Sequence, residues 1–384
     1  MTQNGSKHRR SPMTVVPIAS IRMLVDRRWR RGSGRFRQKH RGRFPQSIKR
    51  SRDMTENDRS IYKTMSRYDR QSKVNNMEIL SPRYLDAMEA ISSMHCPCRG
   101  GPPSLGTIGA VYGDPRSGKT YALKSYASRF PRKLGDEGMI SPVVYMAVAS
   151  DSTVRGVMDT LAKGLGLAVS SRINTHAATD RLIDTLQQQQ VNLVIMDEFH
   201  RISDHGGLRV ELPFRGLLRQ LLDEANTSII AAGMGSIYTW IRKDGQLEGR
   251  GMLPHHLIPY YDYRSEADRE EFELVCSSID DELPFVERSG LEDPSFCTSL
   301  LTVSRGSIGR LTAFIKRATA EAINDNAPAI GARHFARVWD RVKAPGVQVT
   351  FNNLDPADPP KGKDALDEDD DPNFADHHAP FNRR

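Results

Sequence analysis

Gly113-Asp114-Pro115-Arg116-Ser117-Gly118-Lys119-Thr120 follows a short apolar run, Thr107 to Tyr112, and leads into a stretch of helix-forming character, Tyr121 to Phe130. The pattern G-x-x-x-x-G-K-[ST] between a strand and a helix is the signature of a phosphate-binding loop. Gly113 and Gly118 let the backbone turn tightly and aim successive N–H groups inward, with Asp114, Pro115, Arg116 and Ser117 completing the cradle. The helix N-terminus adds partial positive charge. Lys119 is placed to reach the terminal phosphates, and the Thr120 hydroxyl to ligate Mg²⁺. These residues imply a bound nucleotide.

Around this loop, five short apolar runs alternate with helical patterns, as a parallel sheet with crossovers requires. The runs are Ile108–Tyr112, Val143–Val148, Leu193–Met196, Ser228–Ala232 and His256–Tyr260. Val154, Val157, Met158, Leu161 and Leu165 mark one crossover helix, and Phe214, Leu217, Leu218, Leu221 and Leu222 another, both at helical spacing. Upstream, Ser81 suits an N-cap and Pro82 a first turn, with Tyr84, Leu85, Met88 and Ile91 forming the apolar face of a packing helix. From Ser265 the pattern is helical only. Phe272, Val275 and Ile279 fit one helix, Ile308, Leu311, Ile315, Ala318 and Ala322 a second, and Phe335, Val338, Trp339 and Val342 a third. Beyond Pro345 the Pro/Asp-rich chain reads as disordered.

Leu193-Val194-Ile195-Met196-Asp197-Glu198 is an apolar strand ending in two acids, 78 positions after Lys119. Two carboxylates there have separable jobs. Asp197 can hold the Mg²⁺ water shell opposite Thr120, while Glu198 can orient and deprotonate a water attacking the γ-phosphate. A nucleotide kinase has no use for the second acid, so hydrolysis is the favoured chemistry.

The net charge of +8 is unevenly spread: +15 over residues 1–52, −5 over 355–384 and −2 between them. The Arg-rich arm admits three readings: a nucleic-acid-binding segment, a transit-type segment, or an upstream extension with the start at Met54, Met65 or Met77. No function is rested on it. Four cysteines make no disulfide framework in a chain of 384 residues. His95-Cys96-Pro97-Cys98 looks like half a metal site but has no second pair at zinc spacing, so reduced thiols are expected. No apolar run approaches the ~20 residues of a membrane span.

Asp197-Glu198-Phe199-His200-Arg201 resembles the "DE-x-H" segment of AAA+ ATPases of the TniB/TnsC/MuB type, the ATP-dependent target-selection proteins of DNA transposons. Four further stretches agree in order. Ile229 to Gly233 stands where the family carries "vGt", Asp244 to Arg250 resembles "QL-x-x-R-F", Leu257 to Asp262 matches the next strand and acidic turn, and Thr302 to Gly309 resembles the "T-x-G-x-I-G" that leads into the lid helix. The resemblance spans roughly Leu80 to Val342.

It implies an α/β fold: a P-loop AAA+ (ASCE-type) core of five parallel strands, a small C-terminal helical lid and disordered tails. The corresponding divisions are a basic arm (1–53), a helical lead-in (54–100), the nucleotide-binding core (101–263), the lid (264–343) and an acidic tail (344–384). It implies ATP and Mg²⁺ as ligands. Arg250 stands where such families place an arginine reaching a neighbour's γ-phosphate, and Arg310 is a candidate lid arginine touching the nucleotide. The pattern breaks at Met234, where a small polar residue would sense the γ-phosphate and Ser236 is the nearby substitute, and at Gly251, where the family has Phe. Slow hydrolysis is expected.

The implied partners are duplex DNA bound without sequence preference in an ATP-dependent way, further copies of the chain in a head-to-tail oligomer or filament, an integrase-type transposase and a TniQ-like target selector. A bacterial cytoplasmic setting follows, with no membrane. The basic spots in the near-neutral core are Arg129, Arg132, Lys133 and Arg155. A filament needs few phosphate contacts per subunit, because many subunits add their contributions. Two rival classes stay open: a nucleotide-gated adaptor between proteins without DNA contact, and a helicase-loader or origin-type AAA+ ATPase.

Overall fold

The computed structural model describes residues 56–97, 105–149, 153–167, 174–205 and 207–360. The basic arm, Cys98 and the acidic run Asp367 to Asp371 lie outside the described residues.

A 3₁₀ turn, Glu56–Lys63, precedes α1 (Arg67–Asn75), whose Ser66 cap accepts the Asp69 N–H. Helix α2 (Pro82–His95) starts as predicted, with the Ser81 hydroxyl accepting the Tyr84 N–H and Pro82 in the first turn, where its missing N–H leaves no bond unmade. Its buried face, including Leu85, Met88, Ile91 and Met94, packs on the sheet. Then follow β1 (Ile108–Tyr112), α3 (Lys119–Ser128), an exposed antiparallel hairpin of β2 (Lys133–Gly135) and β3 (Gly138–Ile140), β4 (Val143–Ala147), α4 (Val154–Gly164) and α5 (Thr175–Gln188). The core closes with β5 (Leu193–Asp197), α6 (His200–His205), α7 (Gly207–Asp223), β6 (Ser228–Gly233), α8 (Ser236–Arg242), α9 (Gly245–Glu248) and β7 (His255–Leu257).

The main sheet runs β4-β5-β6-β1-β7, and every pair is parallel. Strand β6 is therefore inserted between the phosphate-loop strand and the strand of the two acids, and the C-terminal ends of all three open at one edge. That edge is where open α/β sheets bind ligands. Strand β7 ends at Leu257, short of the predicted Tyr260. Ile258 still donates to the Tyr112 carbonyl (2.8 Å), but Pro259 has no N–H to continue the ladder. Helix α3 begins at Lys119, two residues before the predicted Tyr121.

Helices α10 (Glu266–Glu282), α11 (Pro294–Ser304), α12 (Ile308–Asn324) and α13 (Ala332–Val342) build a second core around Phe272, Phe285, Leu300, Leu311, Ile315 and Phe335. Residues from the N-terminal lead-in join it. Met77 and Ile79 lie in this apolar cluster, and the buried Arg59 guanidinium donates to the carbonyls of Asp280 (2.9 Å) and Phe285 (3.3 Å). Disorder beyond Pro345 does not hold over residues 346–360. Phe351 is buried and stacks on Phe335 with ring centroids 5.1 Å apart, and the Trp339 indole donates to the Val349 carbonyl. Burying an aromatic ring against two others outweighs the turn-forming composition around it.

Among the described residues no helix is long and apolar enough to cross a membrane, and no cluster of three or more His, Cys, Asp or Glu is placed to hold a metal. His95 is buried, with Nδ1 2.9 Å from the Tyr126 hydroxyl and its ring edge-on to Phe130.

Candidate functional site

Strand β1 is buried and paired on both sides, so the chain leaves it at Tyr112 in a fixed direction. The loop closes at Gly118, whose φ of +104° is a left-handed conformation that a side chain disfavours. Gly118 is also the N-cap of α3 and offers it no side-chain cap, so the first N–H groups of that helix face the loop uncapped. The buried Lys119 ammonium donates to the carbonyls of Gly113 (2.6 Å) and Asp114 (2.7 Å). Burial lowers its pKa, against the opposing pull of Asp197, Glu198 and Asp114. The Ser117 hydroxyl is buried without a hydrogen-bond partner among the described residues.

Across the sheet edge, Asp197 is buried at the end of β5 and carries three hydrogen bonds. The Thr120 hydroxyl (2.7 Å) and the Tyr145 hydroxyl (2.9 Å) donate to Oδ2, and the Glu198 N–H (2.9 Å) donates to Oδ1. Thr120 and Asp197 thus meet across a strand that lies between the two they follow. Tyr145 was missed. It pairs with Ile195 in the β4–β5 register, which puts Asp197 two positions along on the same face. In an apolar run a tyrosine reads as strand filling, and only its register with β5 reveals the contact. Burial and then the Asp197 charge push the Tyr145 phenol up, so it stays protonated and donates.

Glu198 leaves the strand with φ of +58°, a left-handed conformation uncommon outside glycine. The next residue pins the turn: Phe199 is fully buried, packs edge-on to Trp240, and donates its N–H to the Ala232 carbonyl (2.8 Å). The Glu198 carboxylate is about one-third exposed, 3.5 Å from the Arg201 guanidinium and 3.6 Å from His200 Nε2. Arg201 is itself anchored on the Val148 carbonyl.

The two arginines separate. Arg310 lies in the first turn of α12, directly after Gly309, whose N–H donates to the Arg116 carbonyl of the phosphate loop (2.9 Å). It is therefore brought beside the site. Arg250 is not brought to this chain's own loop. Its carbonyl accepts from Ile108 at the start of β1, roughly 15 Å of strand away from Gly113. Its guanidinium is paired with Asp223 (2.6 Å). Met234 and Ser236 follow β6 at the open edge. Of the four basic spots, Arg132 is spent on the Leu165 carbonyl and Ser141, and Arg155 on Asp159. Lys133 is exposed on the hairpin and Arg129 is half-buried.

Residues 83–260 match the family model described as the bacterial TniB protein, so the TniB likeness holds over the segment that carries both halves of the site. Among curated proteins none matches. Among solved structures, the Aeropyrum pernix ORC2 protein in ADPNP–ADP complexes aligns with a TM-score of 0.50 at 14% identity, covering 70% of this chain and 71% of that one. The ORC1 protein of the same organism in complex with DNA gives 0.49 at 14% identity, over 69% and 66%. Cdc6p from Pyrobaculum aerophilum gives 0.49 at 11%, over 71% and 70%. The first of these likenesses shows a shared fold, a five-stranded parallel sheet with flanking helices.

Proposed function

We propose that this chain, TniB-like through residues 83–260, binds and hydrolyses ATP, assembles head to tail on duplex DNA while ATP is bound, and recruits or activates an integrase-type transposase there. A TniQ-like selector is a further partner on this reading. The observation that carries the chemistry is the Thr120–Asp197 hydrogen bond beside the seated Lys119. The family match supports the role in transposition.

The site fits a triphosphate and a magnesium ion. The uncapped amides of α3 and the unpartnered Ser117 hydroxyl are donors suited to phosphate oxygens, and the Lys119 ammonium has only carbonyls to exchange for them. Thr120 and Asp197 are the oxygen donors that would hold Mg²⁺, with Asp197 kept in place by Tyr145 and the Glu198 amide. When bound, the ion spreads the charge that develops on the β- and γ-phosphate oxygens.

Glu198 acts as the general base. It accepts a proton from the water that attacks the γ-phosphate, as the bond from the γ-phosphorus to the bridging oxygen breaks. His200 and Arg201 set the direction of its carboxylate. Arg310 contacts the nucleotide from the lid. Arg250, far from its own loop, serves a neighbouring subunit.

The test is a gel shift on random-sequence duplex DNA, with and without a non-hydrolysable ATP analogue, at low and moderate salt, alongside phosphate release. ATP-dependent retardation that weakens with salt is expected. Its absence across that range, with ATP still bound, favours the protein–protein adaptor instead.

A further inference from the structure

The outward-facing carbonyls of the phosphate loop are taken up by the lid and the segment leading to it. The Arg116 carbonyl accepts from the Gly309 N–H (2.9 Å) and from the Ser307 hydroxyl (3.0 Å). The Pro115 carbonyl accepts from the Tyr260 hydroxyl. Arg116 itself has φ of +63°, a conformation that costs a non-glycine residue free energy unless its surroundings hold it. At Gly309 a Cβ would lie 2.8 Å from both the Cβ and the carbonyl oxygen of Arg116, so only glycine allows this approach.

A trans peptide points its C=O and the following N–H in opposite directions. Holding the Pro115 carbonyl outward therefore turns the Arg116 N–H toward the concave side of the loop. Holding the Arg116 carbonyl fixes the plane in which the Ser117 N–H closes its turn on Asp114 (3.2 Å). A carbonyl that accepts a hydrogen bond also polarises its peptide and strengthens the N–H as a donor.

We infer that Tyr260, Ser307 and Gly309 are positioning residues of the phosphate loop, which aim its amides from outside and make nucleotide affinity depend on a seated lid. The dependence is reciprocal, because whatever the lid does for the nucleotide, the nucleotide does for the lid. Burial raises the Tyr260 pKa, which keeps the phenol a donor across the neutral range. This inference rests on the nucleotide-binding reading above and adds the route by which lid position regulates that site.

The experiment uses the full chain and the ATP analogue ADPNP, with affinity by calorimetry and turnover by phosphate release. Tyr260→Phe removes one donor and keeps the ring. It should weaken ADPNP binding about threefold to tenfold, the loss of one or so neutral hydrogen bonds. It should raise KM for ATP while kcat stays within about twofold, and lower the melting temperature of the nucleotide-free protein by no more than a few degrees. Ser307→Ala should act alike on affinity, and Ser307→Thr, which restores a hydroxyl, should recover it. Gly309→Ala should abolish the protection from hydrogen exchange that ADPNP gives to residues 305–312. If the wild type binds ADPNP and Tyr260→Phe and Gly309→Ala bind it equally well, the positioning role is wrong while the nucleotide reading stands. If the wild type binds no nucleotide, both fall.

Discussion

The Thr120 hydroxyl donates to the Asp197 carboxylate at 2.7 Å, joining the first turn of α3 to the end of a strand that lies two places away in the sheet. Lys119, one residue earlier, is held instead by the carbonyls of Gly113 and Asp114. The two residues therefore divide their work, and substitutions should separate it. Lys119→Ala should abolish ATP binding and, with it, assembly on DNA. Asp197→Asn keeps an oxygen for the Thr120 and Tyr145 hydroxyls but loses the charge. It should bind nucleotide and cut phosphate release by about 100-fold, the scale of losing a metal's charge stabilisation. Calorimetry with ATP, run beside phosphate release, checks both. Unchanged ATP affinity in Lys119→Ala would remove the foundation of the reading.

Glu198 is the one acid of the pair with a carboxylate exposed to the site edge, aimed by a left-handed backbone and by Arg201. Glu198→Gln preserves its size and hydrogen-bonding reach and removes its basicity. Turnover should fall by about 10²–10⁴-fold, the usual range for a lost general base, while ATP-dependent DNA retention persists or lengthens. Single-turnover kinetics on the DNA-bound protein decides it. Rapid turnover in this variant would assign the base elsewhere.

The elements that declared themselves in the sequence are those whose burial is local. The run Leu193 to Asp197 is buried at every position, and the loop from Gly113 to Thr120 needs particular residue types for its own conformation. What stayed hidden depends on partners distant in the chain. Arg59 is buried because carbonyls more than 220 residues away accept from it. Phe351 is buried because Phe314 and Phe335 offer a stacking surface. Helix α5 escaped notice because Thr179 and Thr185 share its buried face with Leu182, Ile183 and Leu186, which blurs the apolar stripe. Helix α11 escaped for the opposite reason, since Phe296, Cys297, Leu300, Leu301 and Val303 leave few polar positions to set a period. The positions of Arg250 and Arg310 relative to the loop follow from strand direction and lid docking, neither of which a motif encodes.

His95 makes a pH prediction. Burial pulls its pKa from 6.5 down to about 4, so the folded protein holds the ring neutral against Tyr126. The unfolded chain then binds the extra proton first as pH falls. The stability this group contributes is complete above pH 6.5 and is lost progressively down to pH 4, amounting to about 3 kcal/mol. Urea unfolding at a series of pH values, for the wild type and for His95→Gln, isolates it by difference. The variant should show a shallower decline between pH 7 and 4.5. Parallel curves would mean that His95 titrates normally in the fold.

Arg250 poses a choice between an internal strut and a group offered to a neighbour. Its guanidinium is paired with Asp223 at the end of α7, and that pair is partly exposed, so the pairing itself contributes no more than about 1 kcal/mol. A strut of that strength is dispensable, and both Arg250→Ala and Asp223→Ala should melt close to the wild type. Their activities should diverge. Removing Asp223 frees the guanidinium and should leave DNA-dependent hydrolysis intact or raise it. Removing Arg250 should drop assembled turnover by about 10³-fold, the scale of an arginine supplied in trans, without changing ATP affinity of the single subunit. Mixing supplies the discriminating measurement. Arg250→Ala subunits with an intact Glu198, added to Glu198→Gln subunits that still bind ATP, stay on DNA and keep Arg250, should recover part of the turnover, because each donates what the other lacks. If the mixture stays as slow as its parts, Arg250 does not complete a neighbour's site.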